Sequence, residues 1–112
     1  MYLGANRFSP GIVTVDELVS EIESDIDAAK NKYNGKWIQI TGEVLNYYSV
    51  AGMTGYYLHG DRGDEGLRII CWVDDEGTIG FVLHDTLTFV GQVREITTAN
   101  ATEIGDCEII TD

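Results

Sequence analysis

Apolar and polar residues change rhythm along this chain. Leu18, Ile22, Ile26, Ala29 and Tyr33 recur every three or four residues, the single stripe that an amphipathic helix buries. Thr14 opens that helix and Glu17 stands three residues on, the capping-box pair that satisfies orphan backbone donors. Acids (Asp16, Glu17, Glu21, Glu23) crowd its front and Lys30 and Lys32 its back, as the helix dipole favours. Asn34-Gly35 supplies a left-handed stop. The spacing predicts one helix over 14–33, docked by its stripe on whatever follows.

From Gly35 the period drops to two. Ile38, Ile40 and Val44 alternate with Gln39, Thr41 and Glu43, the signature of a half-buried strand. Gly42 occupies an inward slot, where glycine commonly marks a bulge or bend. The pattern recurs at Leu87-Thr-Phe-Val-Gly-Gln-Val93, with Gly91 in the matching place. Tyr56–His59, Leu67–Val73 and Thr102–Ile110 read as further strands. Between them lie glycine-rich loops at Ser49–Gly55 and Gly60–Gly66, a break at Asp74–Gly77, a short turn or helix at Thr78–Leu83, and a polar loop at Thr97–Ala101. Residues 1–13 read as a loosely held arm with a turn at Pro10-Gly11. Residues 14–112 read as one mainly β domain, a helix packed on a five-stranded antiparallel barrel of Greek-key type. That architecture is the OB-fold.

The run Tyr33-Asn-Gly-Lys-Trp-Ile-Gln-Ile-Thr-Gly-Glu-Val44, after a helix opening Val13-Thr-Val-Asp-Glu-Leu18, resembles the bacterial tRNA_anti-like group of OB-fold domains. Ile70-Cys71, Thr88-Phe-Val-Gly-Gln-Val93 and Gly105-Asp-Cys-Glu-Ile109 are similar to the same group at corresponding places, so the likeness spans roughly residues 13–110. It implies a fold and carries no catalytic motif; the group's name refers to anticodon-binding domains, and activity on tRNA does not follow from it. It also implies a matched pair of cysteines at Cys71 and Cys107, on strands that neighbour each other in an OB barrel and could touch or be bridged. Many members look exported or lipid-anchored. This sequence shows no lipobox and no secretion leader, so the expected compartment is cytoplasmic as it stands, and exported or lipid-anchored if a leader was trimmed.

Composition narrows the function. At 112 residues the chain suits one domain, and no apolar run reaches the length of a membrane-spanning helix. Nineteen acidic against seven basic residues give a net charge of −12, which repels nucleic acid and anionic membranes. Cys71 and Cys107 lie in apolar strand-like runs as buried thiols or as a disulfide, with no zinc-ligand spacing around them. No nucleophile elbow, phosphate-cradling loop or carboxylate pair appears, so no enzyme activity, cofactor or metal is expected.

OB-folds engage ligands along the face of their second and third strands, flanked by the loops between strands one and two and between four and five. In this sequence that region holds Tyr47, Tyr48, Tyr56, Tyr57, Arg68 and Trp72. His59 and His84 read as unrelated surface or core-edge histidines, and Asp61, Asp64 and Glu65 as a solvated turn. The first expectation is a non-enzymatic binding module for a protein, peptide or oligomeric ligand. The alternatives are an acidic nucleic-acid mimic that blocks a DNA- or RNA-binding partner, motivated by the acids around the helix, and a single-stranded nucleic-acid binder.

Overall fold

The computed structural model describes residues 5–6, 9–60, 67–74, 84–97 and 101–110, with side chains from Pro10 onward. The expected turns at 61–66 and 78–83, and the acids Asp61, Asp64 and Glu65, lie outside the described residues. In chain order the elements are β1 (Ala5–Asn6), β2 (Ser9–Thr14), α1 (Val15–Ser24), α2 (Ile26–Tyr33), β3 (Trp37–Val50), β4 (Met53–His59), β5 (Ile69–Asp74), β6 (Thr86–Glu95) and β7 (Thr102–Ile110).

β3 to β7 close into the five-stranded OB barrel. β3 is the strand that makes closure possible, because its two halves serve different neighbours. Trp37–Glu43 pair with β6, and Glu43–Val50 pair with β4. β4 pairs with β5, β5 with β7 and β7 with β6, so the sheet returns to β3. Each of these pairings is antiparallel except β5–β7, which is parallel. Ile38, Ile40, Val44, Leu58, Ile69, Phe89 and Ile104 point into the lumen, and Leu18, Ile22 and Tyr33 from the helices seal it.

The two glycines have steric reasons as well as a conformational one. A Cβ on Gly42 would lie 2.5 Å from Val15 Cγ2 and 3.3 Å from Leu58 Cβ, so α1 can begin against the barrel only where β3 has no side chain. A Cβ on Gly91 would collide with Cys107 Sγ and Ile104. Gly91 also sits at a register irregularity between β6 and β7, the bulge its slot suggested. In β3 the irregularity comes later, at Leu45, between Val44 and Asn46.

The helical stretch differs from the expected single rod. Asp25 leaves helical geometry (φ −161°, ψ 99°) and divides it. Its backbone N–H still caps α1 at Glu21, while its carboxylate accepts from Ala28 N at 3.1 Å to start α2. The apolar stripe survives the break, because Leu18, Ile22, Ala29 and Tyr33 are all buried. Glu21 ties the two helices together, accepting from Lys32 Nζ at 2.7 Å and from the Tyr33 hydroxyl. The capping box at Thr14 and Glu17 forms as expected, and Gly35 takes the left-handed stop (φ 79°).

Part of the expected loose arm is a strand. Gly11–Thr14 of β2 pair in parallel with Ile38–Thr41 of β3, and β1 pairs antiparallel with β2. A parallel pair needs a long crossover, and α1 with α2 supplies it. β2 thus covers the edge of β3 that β4 does not reach. Val13 is buried in this arrangement and Ile12 is exposed.

Candidate functional site

The bulge at Leu45 decides which tyrosines face outward. Before it, the even-numbered residues of β3 are buried; after it, Tyr47 pairs with Tyr56 and Tyr48 with Gly55. Tyr56 points into the barrel, only 1% exposed, with its ring 5.4 Å from Phe89. It is a core residue and offers no ring to a ligand, which corrects its place among the expected site residues. Tyr47 is half exposed and stacks 6.4 Å from Tyr56, extending the core stack outward at the barrel mouth.

Tyr48, Tyr57 and Trp72 do come together on the outer face of β3, β4 and β5. The Tyr48 ring lies 5.6 Å from Tyr57 and, edge-on at 86°, 5.6 Å from Trp72. Gly55 makes room for them: it pairs with both Tyr48 and Trp72, and a Cβ there would stand 3.0 Å from the indole. Trp72 Nε1 donates to Glu103 Oε1 at 2.7 Å, which fixes the indole plane. Burial pushes the Tyr57 hydroxyl up from its ordinary pKa, helped by its hydrogen bond with Tyr48 and by Glu103, while Arg68 opposes. Tyr57 therefore stays a neutral hydroxyl. Tyr48, Tyr57, Leu67 and Arg68 line an adjoining groove of about 400 Å³.

Among the described residues the face is thus apolar and aromatic, with the exposed cation Arg68 and the carboxylate of Glu103 at its margin. It can stack on planar groups or pack on aliphatic ones. Among the described residues it has no row of cations for successive phosphates.

Cys71 and Cys107 are both buried and both free thiols. Burial pushes the Cys71 thiol well up, as does its hydrogen bond with Cys107, so neither nucleophilic nor metal-binding thiolate chemistry is favoured at Cys71. In the structure the two thiols are unbridged and hydrogen-bonded to each other.

One grouping was not foreseen. Glu43, His59 and His84 lie together, with His84 Nδ1 2.8 Å and His59 Nε2 3.7 Å from Glu43 Oε2. Reading the two histidines as unrelated is therefore corrected. Glu43 and His59 meet through strand register, and His84 arrives from the segment before β6. Spacing along the chain carries no signal for this convergence. A strand-pairing prediction setting Glu43 opposite His59 would have given half of it.

Comparison with known proteins supports the fold. No protein-family model matches the chain, and no curated protein matches it in sequence, so the likeness to the tRNA_anti-like group stands at the level of the OB-fold. Among solved structures, one similar chain is a "putative nucleic acid-binding lipoprotein" from Klebsiella pneumoniae. Its TM-score is 0.68 at 14% identity, over 89% of this chain and 91% of that one. Another is the telomere capping protein Ten1 from Saccharomyces pombe, with TM-score 0.50 at 13% identity, over 89% of this chain and 75% of that one. The chain has the OB-fold.

Proposed function

We propose that this protein is a non-enzymatic OB-fold binding module whose β3–β4–β5 face engages a neutral or cationic polypeptide segment. The observation that carries this is the Tyr48–Tyr57–Trp72 cluster beside the Arg68 groove on a chain of net charge −12. Tyrosine, tryptophan and arginine are the residues enriched at protein interfaces, and rigid rings give contact area at little entropic cost. The overall charge favours approach of a cationic partner and opposes a polyanion.

A second reading, single-stranded nucleic acid, has one specific support: the Klebsiella protein of similar fold is described as nucleic acid-binding. Stacked bases contribute about 1–3 kcal/mol each on such platforms, yet affinity also needs cations along the backbone. Nucleic-acid mimicry by the acidic helices has less support. The helix is broken at Asp25 and Glu21 is engaged with Lys32 and Tyr33, so no regular track of free carboxylates runs along it.

Panning a displayed peptide library against the folded domain, with Trp72→Ala and Tyr48→Ala as counter-selections, tests the proposal. Enrichment of basic or neutral peptides that lose about tenfold or more in affinity on either variant is expected. Peptides that bind the variants unchanged would overturn the assignment of this face. Tight oligonucleotide binding that weakens steeply with salt would move the conclusion to the second reading.

A further inference from the structure

Glu43, His59 and His84 meet where β3 hands over from β6 to β4, next to the start of α1. One ligand atom from each of the three lies within 4.8 Å of the others. Glu43 is opposite His59 in the β3–β4 ladder. His84, at φ 77°, is anchored by backbone bonds of 2.9 Å from its own N–H to Val44 O and from Val44 N to Asp85 O. The cluster is thus held by three separate segments whose backbones are already fixed.

His59 holds the deciding detail. Its Nδ1 is 2.9 Å from the Gly60 carbonyl oxygen. A carbonyl can only accept, so Nδ1 carries the proton and Nε2 of the neutral ring presents a lone pair. That Nε2 is buried and has no hydrogen-bond partner. It looks toward Glu43 Oε2, another acceptor, at 3.7 Å. His59 Nε2 is thus a buried acceptor with no donor, facing a partly exposed carboxylate oxygen that is already 2.8 Å from His84 Nδ1, and a cation placed among the three would satisfy it. The Asp16 carboxylate packs against Gly60 on the same side, adding negative charge near the cluster.

We propose that Glu43, His59 and His84 form a binding site for a divalent transition metal of the zinc class. Two atoms that each lie about 2.0–2.1 Å from zinc at a tetrahedral angle stand about 3.3 Å apart. The separations of 2.8 Å and 3.7 Å about Glu43 Oε2 straddle that value, and all three donor atoms lie within 4.8 Å of one another. The Gly60 carbonyl on Nδ1 is the outer-shell support that metal-bound histidines usually have, fixing tautomer and ring plane. Two imidazoles and one carboxylate select zinc, copper or nickel over magnesium and calcium. Three protein ligands leave a fourth position for water or an incoming donor atom. The site is independent of the aromatic face, although His59 borders the groove between them.

The test uses the full chain stripped with a chelator, titrated with Zn2+ in competition with a chromogenic chelator, and separately with Co2+. One equivalent of Zn2+ should bind, with the visible absorption of four-coordinate Co2+ at the same stoichiometry. His84→Ala should weaken binding by about tenfold or more. The His84 side chain is 65% exposed, so this variant should keep its fold, checked by an unchanged melt. His59→Gln should act in the same direction. Several weak sites indifferent to His84→Ala, equal affinity for Mg2+, or no saturable Zn2+ binding at micromolar concentration would each overturn the proposal.

Discussion

Replacing Gly42 by alanine adds one methyl group at the point where helix and barrel meet. The new Cβ would stand 2.5 Å from Val15 Cγ2, 3.4 Å from Val15 Cβ and 3.3 Å from Leu58 Cβ. Val15 and Leu58 are each 2% exposed, so neither can swing into solvent. Overpacking of this kind costs about 1–3 kcal/mol. For a domain of this size that lowers the melting temperature by about 4–12 °C. Val15→Ala removes the methyl in the way, so the two changes together should cost less than their sum by about 1 kcal/mol. Thermal and urea melts of the four proteins in the cycle give this coupling directly. A Gly42→Ala change within about 0.5 kcal/mol of wild type, or strict additivity with Val15→Ala, would refute the close approach of α1 to β3.

Asp25→Ala should cost about 1 kcal/mol in a chemical melt, because it removes the α2 cap that accepts from Ala28 N; no change would mean the break is not held by that carboxylate. For Glu21, burial pushes the carboxyl up, but hydrogen bonds from Lys32 and Tyr33 and the Lys32 charge outweigh it and hold the pKa below the ordinary range. A depressed folded-state pKa contributes stability above the unfolded value and loses it as pH falls through the folded one. Melting curves of wild type and Glu21→Gln should therefore converge in acid and separate near neutrality, by no more than about 1 kcal/mol since the pair is partly exposed; a separation that grows on acidification would contradict the sign. Neither Cys71 nor Cys107 should react with a thiol-exchange reagent at neutral pH until the protein is denatured, both being buried; rapid native-state labelling would show the barrel opening there.

What the sequence makes legible is the part governed by local rules. The stripe from Leu18 to Tyr33, the Thr14–Glu17 box and the alternation from Ile38 to Val44 each depend on neighbours a few positions away, and each appears in the structure. Gly42 and Gly91 were also visible, as gaps in an apolar pattern. Apart from the local cap at Asp25, the misses come from pairing between distant residues. β2 is a strand only because Ile38–Thr41 lie beside it, and Pro10-Gly11 reads locally as a turn. Asp25 looks like one more acid on a helix until its side chain is seen capping Ala28. Adjacent Tyr56 and Tyr57 take opposite faces by the ordinary alternation of β4, but which of them points inward is set by pairing with β3 and β5, and only Tyr57 joins the aromatic cluster. Glu43, His59 and His84 are assembled wholly by register and loop return.

The central functional claim is that ligands meet this domain on the outer face of β3, β4 and β5. Amide and side-chain NMR shifts, followed while a library-selected peptide is titrated into labelled protein, test it most directly. Perturbations should centre on Tyr48, Gly55, Tyr57, Arg68 and the Trp72 indole N–H, with α1 and α2 unmoved. Shifts concentrated on the acidic helices, with the Trp72 indole signal unchanged at saturation, would contradict it.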